Sequence, residues 1–273
     1  MNKIDIKKLE GLAKKVRINT LDIIYRTASP HIGSSFSCVD ILVSLYFGVL
    51  NISSSDALSD KRDIFLISKG HACPALYAVL FEKKLLNQSD IDSFAKNGGV
   101  LQQHPDRNPA KGIEFSSGSL GHGLSVACGM AYAFKKDGRK NRIFVLLSDG
   151  ELNEGSVWEA VMFAAHHKLD NISVIIDYNK MQALGFTKEI INLDPLSSKW
   201  KAFDWQVKEV DGHNPKDLVK ILSVIPFKKN KPSVVIARTL KGKGVSFMEN
   251  DILWHYRAPN QEEYKNALEQ LSR

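Results

Sequence analysis

Two polar residues, Asp149 and Asn179, follow apolar segments that predict neighbouring buried strands. Asp149 comes just after residues 143–147, and Asn179 comes thirty positions later, beyond residues 172–177. Parallel strands bring their carboxyl ends to one edge of a sheet, so we expect the two side chains to lie close together. A carboxylate, an amide oxygen and a nearby backbone carbonyl are hard ligands that suit Mg²⁺ or Ca²⁺. Either residue alone is typical of a turn or loop, but the ordered pair predicts a cation site.

The residue after Asp149 adds a second chemical feature. Gly150 allows the backbone to approach a ligand closely, and a helix is predicted shortly after it. Free amide groups at the start of a helix favour anions. Mg²⁺ often completes its coordination with phosphate oxygens and water. The segment therefore predicts a phosphate group beside the cation.

The elements that must position these residues are strands alternating with helices. Continuous apolar runs, and one weaker run, predict strands at residues 64–68, 143–147, 172–177, 206–210 and 233–239. Helices are predicted at residues 4–27, 39–50, 74–84, 124–136, 157–167, 195–203, 215–224 and 261–271. Pro30 and Gly33 are predicted to break the first helix, and Ser89 with Asp92 resembles a capping box that opens another. This alternation predicts an α/β fold, a parallel sheet with helices on both faces.

Composition excludes several classes of protein. The 273 residues are 44% hydrophobic and 25% charged, which supports one folded domain over residues 1–273. The longest nearly apolar stretch, residues 41–52, is shorter than the roughly 20 residues that span a bilayer, and the N-terminus has no signal-peptide core. Three widely spaced cysteines fit a reducing cytoplasm. The net charge is +7, but the basic residues are scattered, so we expect no nucleic-acid partner.

Several motifs along nearly the whole chain resemble transketolase. Ser148-Asp149-Gly150 followed by Asn179 resembles that family's thiamine diphosphate signature. Other matching segments, in the family's order, are Ser-Pro-His31-Ile-Gly, Ser68-Lys-Gly-His71-Ala, Gln103-His104-Pro, Gly118-Ser-Leu-Gly121, Glu151-Leu-Asn-Glu154-Gly, Asp211-Gly-His213 and Lys241-Gly-Lys-Gly244. The resemblance implies a thiamine diphosphate-binding fold, with thiamine diphosphate and Mg²⁺ or Ca²⁺ as cofactors.

The resemblance also implies a role for each matching residue. The metal ligands would be Asp149, Asn179 and the carbonyl of Met181. Further cofactor contacts would come from Lys69, His71, Gly118, Ser119, Leu120, Gly150, Glu151, Lys241 and His255. Catalytic groups would be His31, His71, His104, Glu154 and His255, since histidine moves protons near neutral pH. Glu154 matches a glutamate at a subunit interface, although a helix N-terminus alone also favours an acid. His166, His167 and His213 match no such role.

The matched segments cover only the first, diphosphate-binding part of a transketolase. The resemblance implies that the pyrimidine-binding and C-terminal domains lie on a separate partner chain, in an α2β2 heterotetramer. It implies transfer of a two-carbon ketol unit from a ketose or its phosphate to an aldose or its phosphate. We expect exposed apolar surface on the isolated chain and no activity without the partner.

Three residues depart from the family's pattern. Ser148 stands where Gly is usual, His122 where Gln is usual, and Ala183 where the metal loop often has a larger side chain. These departures leave open a split transketolase specialised for a modified or branched sugar. Two further alternatives are the α subunit of a 2-oxo-acid dehydrogenase, which usually lacks the Lys-Gly-His and Gln-His-Pro segments, and a non-catalytic binding subunit.

Overall fold

A parallel five-stranded sheet forms the centre of the computed structural model, which describes residues 5–273. Its strands are β1 (Ile64–Ile67), β2 (Ile143–Ser148), β3 (Ile172–Tyr178), β4 (Gln206–Asp211) and β5 (Ser233–Arg238). Their order is β1-β2-β3-β5-β4, and every neighbouring pair is parallel. The predicted strands and the predicted α/β fold are confirmed.

Eleven helices pack around the sheet in the described part of the chain. They are α1 (Ile6–Thr27), α2 (Ile32–Ser37), α3 (Val39–Ser44), α4 (Cys73–Glu82), α5 (Gln88–Asp92), α6 (Gly123–Lys136), α7 (Gly155–His166), α8 (Thr187–Ile190), α9 (Leu196–Ala202), α10 (Pro215–Leu222) and α11 (Gln261–Ser272). The helix predicted at residues 39–50 is α3 followed by a π-helical turn at Leu45–Val49. Residue 4, the predicted start of the first helix, lies outside the described residues.

One local prediction was wrong, and two short helices, α2 and α8, were missed. The first helix ends before Pro30 as predicted, since Ala28 caps α1 in a left-handed conformation, but α2 begins at Ile32 and contains Gly33. The cap of α5 is not Ser89 with Asp92. Asn87 accepts a hydrogen bond from the Asp90 backbone at 3.0 Å, and the Asp90 side chain accepts one from the Asn87 backbone at 3.0 Å.

Both faces of the sheet are buried, which explains the unbroken apolar runs. Phe144 and Leu146 of β2 belong to a core formed with α1, α3, α4 and α10. Val145 and Leu147, on the opposite face, pack with α6, α7 and α9. The predicted placement of helices on both faces is therefore confirmed. Among residues 5–273, no helix is long and apolar enough to cross a membrane.

We predict that Leu146→Ala lowers the free energy of unfolding by about 2–5 kcal/mol, because it removes a fully buried side chain and leaves a cavity. Urea denaturation followed by circular dichroism measures this loss. The matched control is Leu58→Ala, since Leu58 is 70% exposed and its truncation should change stability by less than about 0.5 kcal/mol. Equal losses in the two variants would contradict the assignment of Leu146 to the core.

Candidate active site

The carboxyl ends of β2 and β3 bring Asp149 and Asn179 to one cavity. Ser148 pairs with Asp177 in the sheet, so Asp149 and Asn179 follow at the same edge. One carboxylate oxygen of Asp149 accepts the backbone N–H of Lys180, the neighbour of Asn179, at 2.5 Å. Both side chains line the cavity. The structure thus brings together the two residues that the sequence placed on neighbouring strands.

Asp149 is a buried carboxylate held by backbone amides. Its Oδ1 accepts the N–H of Gly150 at 2.8 Å, and its Oδ2 accepts that of Lys180. Burial and the nearby Asp177 carboxylate raise the pKa of Asp149 to about 7. A bound cation would favour the ionised form of such a group.

Asn179 offers an oxygen beside this carboxylate. Its Oδ1 accepts the backbone N–H of Met181 at 3.0 Å, and its Nδ2 lies 3.4 Å from Asp177. An amide oxygen has a second lone pair that stays available to a cation. No group of three or more His, Cys, Asp or Glu side chains among residues 5–273 is placed to hold a metal ion. A cation at this edge would therefore need amide or carbonyl oxygens in addition to Asp149.

A fully buried ion pair between Lys69 and Asp177 lies beside Asp149 and Asn179. Both side chains are 0% exposed. Lys69 also donates to the carbonyl of Ser34 at 3.0 Å, and Asp177 accepts from Ser37 at 2.5 Å and from Thr239. Burial alone would raise the pKa of Asp177, but the Lys69 ammonium holds it below the usual value. Each charge therefore stabilises the other, so both groups stay ionised in the interior.

Four histidines line the same cavity, namely His31, His71, His104 and His255. The ring of His31 lies 5.3 Å from that of His71, 6.1 Å from that of His104 and 4.9 Å from that of His255, measured between centroids. Burial, together with the His104 and lysine charges, lowers the pKa of His31 to about 4. Burial and Lys241 lower that of His255 to about 3. Both rings are therefore neutral near pH 7 and can each donate and accept one hydrogen bond.

Lys241 adds a second ammonium group to the site. Its Nζ lies 3.2 Å from Nδ1 of His255 and 3.4 Å from the carbonyl of Gln182. Burial and the charge of Lys69 lower the pKa of Lys241 to about 8. Because Lys69 is already paired with Asp177, the Lys241 ammonium is the group that would favour an anion here.

The other predicted residues differ in their distance from the cavity. Gly118, Leu120 and Gly150 line the cavity, whereas Ser119 does not. Glu151 is buried behind the lining, where it accepts hydrogen bonds from the side chain of Ser68 and from the backbone of Gly121 at 2.9 Å and Ser148 at 3.3 Å. Glu154 is exposed at the start of α7. The roles assigned to these residues remain predictions.

Comparison with known proteins identifies the family. The family model "Transketolase, thiamine diphosphate binding domain" matches residues 9–272. The chain belongs to the transketolase family.

Individual relatives match over the same length. The chain is 43% identical to one subunit of the apulose-4-phosphate transketolase of Actinobacillus succinogenes, over 97% of this chain and 96% of the relative. It is 38% identical to the 6-deoxy-6-sulfo-D-fructose transketolase subunit SqwG of Clostridium sp. strain MSTE9, over 97% of this chain and 96% of the relative. Its fold matches the crystal structure of a transketolase from Campylobacter jejuni with a TM-score of 0.90 and 28% identity. That match covers 98% of this chain but 43% of the longer transketolase chain.

The residues present in this transketolase chain fit thiamine diphosphate with a divalent cation. Asp149 is a buried acid bonded to backbone amides, and it lies beside an asparagine oxygen. Nε2 of Gln182, a cavity-lining residue, is buried and has no hydrogen-bond partner. A Cβ at Gly150 would lie 3.0 Å from Cγ of Gln182, so a larger residue there would require the glutamine side chain to shift. These groups fit a divalent cation with a diphosphate beside it.

The departures from the usual transketolase pattern are accommodated locally. The hydroxyl oxygen of Ser148 accepts the N–H of Glu151 at 3.2 Å, so the larger residue joins the turn instead of crowding it. Ala183 lines the cavity, and its carbonyl accepts the hydroxyl of Tyr256. His122 is exposed just before α6.

Some residues of this transketolase site carried no assignment from the sequence. Ser34 and Gln182 line the cavity, and Asp177 neutralises Lys69. The available signal for Asp177 was a carboxylate near the end of a largely apolar, buried strand, since an unpaired charge there would be costly. No local pattern marks Ser34 or Gln182.

We predict that Asp177→Asn lowers the free energy of unfolding by about 3–5 kcal/mol, because it leaves the Lys69 ammonium buried without its partner. Urea denaturation in the absence of added metal and cofactor measures the change. The double variant Lys69→Met/Asp177→Leu should lose less stability than the sum of the losses in Lys69→Met and in Asp177→Leu, since neither charge remains in the double variant.

The control for this cycle is Glu269→Gln, which breaks an ion pair with Arg273 whose side chains are 66% and 75% exposed. That change should cost about 0–1 kcal/mol. Strict additivity in the double variant would show that the Lys69–Asp177 pair contributes no coupling.

Proposed function

We propose that this chain is the thiamine diphosphate-binding subunit of a two-chain transketolase, which transfers a two-carbon ketol unit from a ketose donor to an aldose acceptor. The proposal rests on one observation. Asp149 and Asn179 meet in a cavity that also contains Lys69 and four histidines. The full-length match to relatives that are named as transketolase subunits supports it.

The partner would be a chain with the pyrimidine-binding and C-terminal domains, in an α2β2 heterotetramer. Relatives that this chain covers over 96% of their own length are named as transketolase subunits, which supports a second polypeptide. The outer faces of α6 and α7 expose Val126, Met162 and Phe163 by 40–51%. Exposed apolar side chains on adjacent helices support an interface there, and Glu154 at the start of α7 would lie at its margin.

The residues at the edge of the sheet would hold the cofactor. Asp149, Asn179 and the carbonyl of Met181 would bind Mg²⁺, with Ca²⁺ as the alternative. The Lys241 ammonium would neutralise part of the diphosphate's charge, and Lys69 would contact it with the N–H that Asp177 and Ser34 leave free. Bound thiamine diphosphate would supply the electron sink for breaking and forming the carbon–carbon bond. Glu151 would hold the backbone of residues 121 and 148 in place around it.

The histidines would act on the sugar. His31 and His255 are neutral because burial and the lysines lower their pKa values, so each can donate one hydrogen bond to a carbonyl or hydroxyl oxygen. Nδ1 of His255 lies 3.2 Å from the Lys241 ammonium, which can only donate, so the ring's proton is assigned to Nε2. His71 and His104 would complete the set of groups that bind the donor and move protons.

A second candidate is a transketolase specialised for a modified or branched sugar. The names of two relatives specify apulose-4-phosphate and 6-deoxy-6-sulfo-D-fructose. The small side chain of Ala183 at the cavity also favours this reading. A screen of ketose donors and aldose acceptors, which includes branched and sulfonated sugars beside the common pentose phosphates, distinguishes the two candidates.

We place the protein in the cytoplasm. Cys38, Cys73 and Cys128 are all buried and unpaired, which supports a reducing compartment.

We predict that Asp149→Ala abolishes measurable binding of thiamine diphosphate and Mg²⁺ while the fold persists, because it removes a charged metal ligand without opening the core. Calorimetric titration measures the binding, and circular dichroism reports the fold. The control is Asp137→Ala, since Asp137 is exposed at the end of α6. An unchanged cofactor titration in Asp149→Ala would reject the metal assignment.

We also predict that the purified chain has no ketol-transfer activity by itself and gains it when mixed with the product of the adjoining gene. The physical reason is that the cofactor would be held between domains of different chains. Gel filtration should show the complex, and a coupled assay should show transfer.

Two substitutions test whether α7 forms the interface. Phe163→Glu should prevent association, whereas Leu58→Glu, at an exposed apolar residue elsewhere, should not.

Equal activity of the isolated chain and the mixture would refute the need for a partner. Turnover of a 2-oxo acid with an artificial electron acceptor would favour the dehydrogenase alternative. Cofactor binding without any turnover would favour a non-catalytic role.

A further inference from the structure

His213, in the turn between β4 and α10, has no part in the proposed reaction but makes two specific hydrogen bonds. Its Nε2 lies 2.8 Å from the backbone nitrogen of Leu240, and its Nδ1 lies 2.7 Å from Oδ2 of Asp40. A backbone N–H can only donate, so Nε2 must accept and the ring's proton is on Nδ1. Leu240 immediately precedes Lys241, whose ammonium lies 3.2 Å from Nδ1 of the cavity-lining His255.

Arg17 completes this arrangement from the other side. Its Nη1 and Nη2 donate to the Asp40 carboxylate at 3.2 and 2.6 Å, and its Nε donates to the carbonyl of Lys243 at 3.1 Å. The three side chains are 8–14% exposed. Arg17, Asp40 and His213 therefore form a clamp, which we call the Arg17–Asp40–His213 clamp. It holds the backbone on both sides of Lys241.

The clamped segment has a shape that few sequences can adopt. Gly242 has φ +80°, and a Cβ there would lie 2.1 Å from the carbonyl oxygen of Met248. The N–H of Gly242 donates to the carbonyl of Gly33 at 3.0 Å. Lys241 is 1% exposed, so the surrounding protein, including this backbone segment, determines where its side chain lies.

The geometry points to His213 as a positioning residue for the cofactor site: by accepting the Leu240 N–H, it fixes the segment that delivers the Lys241 ammonium to the diphosphate. This inference rests on the proposed function, since it takes Lys241 to contact that diphosphate. The bond from Nδ1 to Asp40 keeps Nε2 unprotonated, as paired groups commonly fix the tautomer of an active-site histidine. The remote Arg17 and Asp40 thus act on the cofactor through the backbone.

Two matched substitutions separate the two hydrogen bonds of His213. In His213→Asn the amide can still donate to Asp40 but cannot reach Leu240. In His213→Gln the longer side chain can place its oxygen near the position of Nε2 and accept the Leu240 N–H. If His213 acts through Leu240, glutamine should rescue and asparagine should not. A role limited to supporting Asp40 gives the opposite order.

The first measurement uses the full chain alone, without cofactor. Amide hydrogen exchange at Leu240, followed by NMR or by mass spectrometry of the 239–244 segment, should accelerate about ten-fold in His213→Asn and remain near the wild-type rate in His213→Gln. Equal exchange rates in both variants would overturn the inference. This result does not depend on whether the chain is a transketolase.

The second measurement uses the two-chain complex titrated with thiamine diphosphate in the presence of Mg²⁺. His213→Asn should weaken binding about ten-fold, as expected for one lost buried hydrogen bond, and His213→Gln less than about three-fold. In a Lys241→Met background the further effect of His213→Asn should fall below about two-fold, because the group that it positions is gone. A full His213→Asn effect in that background would overturn the inference.

Failure of the proposed function gives a different result from failure of the clamp. A wild-type complex that does not bind thiamine diphosphate refutes the proposed function, and with it the assignment of Lys241 to the diphosphate. If His213→Asn does not fold, Arg17→Lys tests the clamp through the Lys243 carbonyl. The loss of thiamine diphosphate affinity that Arg17→Lys causes should likewise disappear in the Lys241→Met background. If that loss persists there, the inference is overturned.

Discussion

The pairing of β2 with β3 places Ser148 opposite Asp177 and so brings two carboxylates, Asp149 and Asp177, to one buried edge. Like charges this close cannot both remain ionised without compensation. Asp177 is compensated by Lys69, whereas Asp149 is bonded to backbone amides and has its pKa raised to about 7. The difference in partners separates a structural acid from one that is available to an external cation.

On the other side of the cavity, the charged groups are positive and repel one another. Lys69 and Lys241 repel one another, and the pKa values of Lys241, His31 and His255 are all lowered by burial and by nearby positive charge. A cation at Asp149 would offset the repulsion between the two carboxylates. An anion at the lysines would offset the repulsion between the positive groups. Binding of a metal and of a diphosphate should therefore be mutually reinforcing, since each provides the countercharge that the other needs.

Much of the fold and part of the site could be predicted from the sequence. The strands were visible because both faces of the sheet are buried, and the meeting of Asp149 with Asn179 followed from the rule for parallel strands. The histidine cluster came from the family resemblance, since no local pattern relates His31 to His255. The Lys69–Asp177 pair was not predicted, because it joins residues 108 positions apart.

The remaining errors also have physical causes. α2 was missed because His31 takes a left-handed conformation from which a helix can restart, and a proline with a glycine nearby normally predicts a break. The α5 cap was misplaced by two residues because both Asn87 and Ser89 are good capping residues, and tertiary packing decides between them. His213 was left without a role because its partners come from α3 and from the segment after β5.

The backbone N–H of His31 donates to the carbonyl of His255 at 3.2 Å, which joins the segment after α1 to the segment before α11 beside the cavity. A third apolar cluster, formed by α1, α2 and α11 with residues 245–254, supports that junction. During synthesis on the ribosome, the sheet can be assembled before this last segment has emerged, but the wall of the pocket cannot. The cavity would thus be the last feature to form, and an incompletely translated chain would have a folded scaffold with no competent binding site.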